Sequence, residues 1–192
     1  MDLDALLIST GVVALAEIGD KTQLLAFILA ARFKKPVPIV LGILAATIIN
    51  HGLAGALGAW ITAVVNPHVL RWVLGASFIG MAIWTLIPDK IEEEETQAAN
   101  RLGVFGATFI TFFLAEMGDK TQLATIALAA HYASPFVVVA GTTLGMLIAD
   151  VPAVFIGNQF AAKIPMRLVH SIAAAIFTLM GVLTLLQIDR LF

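Results

Sequence analysis

The chain has 192 residues, of which 60% are hydrophobic and only 12% charged, with a formal net charge of −2 and a mean hydropathy of +0.97. Soluble domains are about half apolar and about one quarter charged, so a chain of this length could not hide so much apolar surface from water. The composition excludes a water-soluble fold, the lack of a basic tract excludes nucleic acid as a partner, and zero cysteines exclude disulfides and thiolate metal sites.

Six segments are long and apolar enough to cross a bilayer, which takes roughly 20 residues each. They run over about 4–31, 37–65, 69–87, 102–130, 136–160 and 168–187. The acidic opening MDLD argues against a cleavable signal peptide. Between the segments lie RFKKP, NPH, the long PDKIEEEETQAANR, HYASP and KIPMR. A soluble helical bundle would need polar faces at helical period, and none is visible. The expected fold is therefore an all-α integral membrane protein with six transmembrane helices and the lipid bilayer as its surroundings.

The first span contains LAEIGDKTQL at 15–24, and the fourth contains LAEMGDKTQL at 114–123, an offset of 99 residues. At the same offset Pro36 meets Pro135 and Gly42 meets Gly141, and 15 of the 28 positions from Leu15 to Gly42 are identical in the two copies. The chain is thus read as two three-helix repeats, 1–88 and 102–192, joined by an acidic cytoplasmic linker at 89–101 that includes Glu92–Glu95. Three helices is an odd number, so the second repeat enters the membrane from the opposite side. With the N-terminus outside, the inner segments hold Arg32, Lys34, Lys35, Lys90, Arg101, Lys163 and Arg167, and the outer ones only Arg71 and Arg190. The positive-inside rule then favours an inverted-topology pair of repeats, N-out and C-out. Such pairs are typical of secondary transporters with a site near the bilayer midplane.

In the first span uncharged stretches, Ala5–Ala16 and Leu24–Ala31, flank the motif, and neither crosses the bilayer alone. A charge at that depth costs at least about 2.5–3.5 kcal/mol, so such residues must face one another, an ion or water. On a continuous helix Glu17, Asp20 and Gln23 fall within about 120° of arc, an oxygen-bearing face over two turns. Gly19 allows close helix approach or local unwinding that frees a backbone carbonyl. Glu116, Asp119 and Gln122 repeat the pattern. Four carboxylates and two amides form a hard-oxygen cage suited to Mn²⁺, Ca²⁺ or Mg²⁺ rather than Cu⁺ or Zn²⁺. Lys21 and Lys120 offset part of the negative charge. Crowded carboxylates of this kind can exchange a metal ion for protons, which couples the two in antiport. The bland alternative is a set of structural salt bridges from these acids to the lysines. On the second and fifth spans the offset maps His51 onto Asp150, with Asn50 beside it. Asp150 is read as a third-helix ligand, a lysine partner or polar packing, His51 as a proton relay or a hydrogen-bonded structural histidine. Thr22 and Thr121 are read as bonding backbone oxygens or the ion. His68, His131 and His170 lie near span ends and show no ligand spacing.

Two E-x-G-D-K-T-Q motifs, one opening each three-helix half, resemble the family of small cation transporters that includes bacterial manganese exporters and Golgi manganese/calcium transporters. The resemblance covers essentially the whole chain. It implies transport of a divalent cation, manganese or calcium, in exchange for protons, with the metal as substrate and no resident cofactor. It carries over to Glu17, Gly19, Asp20, Lys21, Thr22 and Gln23, and to Glu116, Gly118, Asp119, Lys120, Thr121 and Gln122. The short chain without a targeting extension points to a multi-pass protein of a prokaryotic plasma membrane rather than the Golgi. Expected from all this is export of Mn²⁺, with Ca²⁺ as second candidate, by alternating access as the halves rock against each other. The competing classes are a passive channel filtered by the acidic ring, an amino-acid exporter, and an intramembrane aspartyl protease. The last needs G-x-G-D and Y-D motifs; here glutamate stands two residues before each Gly-Asp pair, and Tyr132 precedes alanine.

Overall fold

A computed structural model describes residues 2–87, 102–156 and 166–186. The acidic linker 89–101, with Glu92–Glu95, lies outside the described residues, as do Lys90, Arg101, Lys163 and Arg190 of the charge count. Every regular element among the described residues is helical: α1 (Asp2–Glu17), α2 (Lys21–Phe33), α3 (Pro36–Val64), α4 (Pro67–Thr85), α5 (Gly103–Glu116), α6 (Lys120–Tyr132), α7 (Pro135–Ile156) and α8 (Met166–Leu186). Three of them are by themselves long and apolar enough to span a membrane: α3, α7 over 135–155 and α8 over 167–186.

The expected first and fourth spans are not single helices. Each is two, broken at Ile18–Asp20 and at Met117–Asp119. The physical cause is local: Gly19 and Gly118 adopt left-handed backbone, φ 86° and 79°, which ends the preceding helix. Beyond the breaks the two copies continue alike. Both α2 and α6 end on a left-handed residue, Lys34 and Ala133, and Pro36 and Pro135 then open α3 and α7, where a missing N–H costs nothing.

The two copies are woven together. Gly42 of α3 abuts Phe105 and Thr108 of α5, and a Cβ at Gly42 would stand 2.9 Å from the Phe105 carbonyl oxygen. Shifting each residue by the repeat offset gives the second interface: Gly141 of α7 abuts Leu6 and Ser9 of α1, with the Leu6 carbonyl oxygen 2.8 Å from a Cβ. Contacts rise together along both pairs. Asn50 Nδ2 donates to the Phe113 carbonyl (3.1 Å) and Gly58 meets Ile126 and Ala129 of α6; Gly145 meets Thr10 and Ala14, and Gln23 Nε2 donates to the Ala149 carbonyl (2.9 Å). Hence α3 runs parallel to α5, and α7 parallel to α1. By contrast α4 and α8 pair in opposite directions, Gly75 against Leu185 and Ile79 against Gly181.

Burial is inverted relative to a soluble protein. Large apolar side chains such as Leu7, Leu53, Trp60, Ile83, Phe136 and Phe155 point outward, while Glu17, Asp20, Glu116, Asp119, Lys120 and Asp150 are buried. An apolar exterior around a charged interior fits lipid as the solvent. Two apolar clusters flank that interior. One joins α1, α4, α6, α7 and α8 around Phe78, Leu128 and Phe177; the other joins α2, α3, α5 and α7 around Leu29, Ile43 and Phe112.

Candidate functional site

Each break is closed by its own sequence. Asp20, with extended backbone, stands at the N-cap position of α2 without a capping bond from its side chain, and its N–H donates to the Glu17 carbonyl (3.0 Å). Gln23 turns back so that its Oε1 accepts from the Gly19 N–H (3.0 Å), in the manner of a capping box. In the second copy Asp119 caps α6, its Oδ1 accepting from the Lys120 N–H (2.6 Å), and Gln122 Oε1 accepts from the Gly118 N–H (2.7 Å). A threonine then bridges each break, Thr22 Oγ1 donating to Glu17 Oε2 and Thr121 Oγ1 to Glu116 Oε2 (3.0 Å). The continuous oxygen-bearing face expected from the i, i+3 spacing is therefore replaced by a discontinuous one. Glutamate stands at the end of one half-helix and aspartate at the start of the next, while the glutamine carbonyls serve the backbone. The negative end of α1 and the positive end of α2 meet at the same point, and α5 and α6 do likewise, so each break presents backbone partial charge of both signs.

The two breaks face each other, and their lysines cross over. Lys120 Nζ lies 2.8 Å from Asp20 Oδ2, and Lys21 Nζ lies 3.6 Å from Asp119 Oδ2. Glu17 is within charge–charge reach of Asp119 and Lys120, and Glu116 of Glu17, Asp119 and Asp150. Asp150 in turn faces Glu17 and Asp20. All five acids are at most 3% exposed. Among the described residues, five carboxylates against two ammonium groups leave a formal charge of −3 in the centre, a costly excess that protons or metal cations would offset. Oxygens remain to receive them: Glu17 Oε1, Glu116 Oε1 and both oxygens of Asp150 have no hydrogen-bond partner.

The sequence-derived residues thus converge, but not all in the same way. Thr22 and Thr121 bond carboxylates, and Asn50 holds the Phe113 carbonyl with its own Oδ1 left over. His51 is buried, 4.0 Å from Glu116 Oε2, too long for a hydrogen bond. Among the described residues no three of these side chains stand close enough to hold a metal ion as they are. One residue escaped the sequence reading: His170 of α8 places Nε2 2.9 Å from the carbonyl of Ile18, inside the first break. Its signal lay in the repeat, since the offset maps it onto Arg71, another basic residue on a third helix.

A helical membrane protein whose charges gather between two broken helices, each carrying one copy of the same motif, is built as an ion-handling transporter. The family model described as divalent cation/proton antiporter GDT1 matches residues 5–93 and 104–190, and the chain belongs to this family. A protein of Vibrio cholerae named "Putative manganese exporter" is 50% identical over 183 residues, covering 95% of this chain and 90% of that one. GDT1-like protein 3 of rice (Oryza sativa subsp. indica) is 31% identical over 91% of this chain and 71% of its own length. GDT1-like protein 5 of Arabidopsis thaliana is 27% identical over 90% of this chain and 91% of its own. No solved structure matches. The family is one of cation transporters, so the chain is not an enzyme, and the protease alternative falls.

Proposed function

We propose that the protein exports Mn²⁺ in exchange for protons, with Ca²⁺ as a second substrate, by alternating access around the acidic centre. The observation that carries this reading is the charge imbalance: five buried carboxylates crossed by only two lysines. Two or more protons balance that centre as a divalent ion does, so exchanging one for the other leaves the buried charge nearly constant. All-oxygen donors at Glu17, Asp20, Glu116 and Asp119 suit Mn²⁺ and Ca²⁺. A cation reaching them displaces the Lys120 and Lys21 ammonium groups from the aspartates, and the broken helices supply the hinges for that movement.

The same reading assigns six spans to two inverted repeats, 1–88 and 102–192, joined at 89–101, with both termini outside. Parallel packing of α3 on α5 and of α7 on α1 supports it, because short turns make α2 and α3, and α6 and α7, antiparallel neighbours. The first and fourth spans then run in opposite directions. By its similarity to the Vibrio protein and its positive inner loops, the chain is assigned to a prokaryotic plasma membrane.

Reconstituted vesicles test the reading. Under an imposed pH gradient Mn²⁺ flux should saturate, move protons the other way and be competed by Ca²⁺ more than by Mg²⁺. Mn²⁺ flux with no accompanying change of internal pH would overturn antiport, and flux that never saturates would make the protein a channel.

A further inference from the structure

Within the two motifs the acidic centre repeats itself residue for residue: Glu17 with Glu116, Asp20 with Asp119, Lys21 with Lys120. The symmetry fails on the next helix of each repeat. There the offset sets the imidazole of His51, on α3, against the carboxylate of Asp150, on α7. Both side chains are fully buried. Neither ring nitrogen of His51 has a hydrogen-bond partner, and neither oxygen of Asp150 has one. Polar groups left this way in a buried site are costly, and a ligand that engages them removes the cost. Their neighbours differ: His51 Nε2 lies 4.0 Å from Glu116 Oε2 of the second motif, and Asp150 follows Ala149, whose carbonyl accepts from Gln23 of the first motif.

We infer that this substitution divides the centre into two half-sites of different metal chemistry, and that His51 sets the preference for a first-row transition cation over an alkaline-earth one. Around Glu17, Asp20 and Asp150 every donor is a carboxylate oxygen, and such a half-site accepts Ca²⁺ and Mn²⁺ alike. Around Glu116 and Asp119, once a cation draws these side chains together, the third donor is a nitrogen. Calcium fills its shell with oxygen, whereas manganese accepts imidazole as well as carboxylate, so the mixed half-site discriminates. Two donor sets also give the ion two unequal stations, one general and one selective. The inference rests on the proposed transport of divalent cations and names the residue that would choose among them.

Full-length protein in vesicles tests it through Mn²⁺ uptake with Ca²⁺ as competitor. His51→Asp, which makes the two halves alike, should let Ca²⁺ compete about tenfold better against whatever Mn²⁺ uptake the variant supports, a shift of about 1.4 kcal/mol. Asp150→His should move the ratio the opposite way. A His51→Asp protein that transports Mn²⁺ with the wild-type Mn²⁺/Ca²⁺ ratio overturns the inference. Should the variants fail to fold, the wild type decides alone: electron spin echo spectra of Mn²⁺ bound to purified protein should show nitrogen modulation from the imidazole. Bound Mn²⁺ without that modulation overturns the inference while leaving transport untouched. Wild-type vesicles that move no divalent cation would instead overturn the proposed function.

Discussion

Lys120 Nζ stands 2.8 Å from Asp20 Oδ2, so a lysine of the second repeat neutralises an aspartate of the first. The reciprocal pair, Lys21 with Asp119, is looser at 3.6 Å, and the Lys21 side chain is 18% exposed against 2% for Lys120. The centre is thus nearly two-fold in composition but not in packing. Its Lys120 side is the more tightly sealed.

Because Lys120 is buried against its partner, Lys120→Gln should leave an uncompensated carboxylate and cost about 3–5 kcal/mol. Thermal unfolding of the purified protein in detergent measures this. Lys21→Gln should cost less, and the double variant Lys120→Gln/Asp20→Asn should recover most of the loss. A double-mutant cycle with no coupling between Lys120 and Asp20 would contradict the crossed pair.

Transport should depend on each carboxylate at the breaks. If the proposed exchange is right, Asp20→Asn, Asp119→Asn, Glu17→Gln and Glu116→Gln each remove a charge that meets the cation or its replacing protons, and each should abolish Mn²⁺ efflux. Membrane fractionation should still find the variants inserted, since neutralising a buried acid lowers the cost of insertion. Wild-type efflux from Asp119→Asn would count directly against the site.

Backbone shape at the breaks is separable from space. Nothing stands within 4 Å of a Cβ placed on Gly118, yet its φ is 79°. Gly118→Ala should therefore cost about 1–2 kcal/mol from backbone strain alone. Gly118→Asn should be milder, because asparagine tolerates the left-handed region, and unfolding temperatures of the two variants test the order.

Close helix approach makes the opposite contrast between two helical glycines. Gly141→Ala puts a Cβ 2.8 Å from the Leu6 carbonyl oxygen, and it should cost about 1–3 kcal/mol as α1 and α7 are pushed apart. Gly52→Ala meets nothing within 4 Å and should be neutral or stabilise by up to about 1 kcal/mol, the usual gain of alanine in a helix. Equal effects of the two substitutions on the unfolding temperature would sink this account of the α1–α7 contact.

Much of the molecule is legible in the chain because charge inside apolar helix is expensive and therefore conspicuous. LAEIGDKTQL and LAEMGDKTQL declare both the repeat and the chemistry of its centre. The same offset then pairs Gly42 with Gly141 as matching helix contacts, although only the packing shows which helices they join. Spacing alone misled at one point. Glu17, Asp20 and Gln23 fit one face of a continuous helix, and the same residues equally fit a break in which aspartate caps and glutamine turns back. Gly19 marked the choice; its positive φ made it.

Residue types, the doubling and the helical, lipid-facing class were determined by the sequence, since composition and periodicity act locally along the chain. Pairing was decided only in three dimensions. Lys21 adjoins Asp20 in the chain yet pairs with Asp119, because the side chains of a break point across at the opposite repeat rather than along their own helix. His170 reaches Ile18 for the same reason: a carbonyl released by a helix break seeks whatever donor the neighbouring helix brings. Which helix that is depends on how two repeats pack, and no local pattern carries that information.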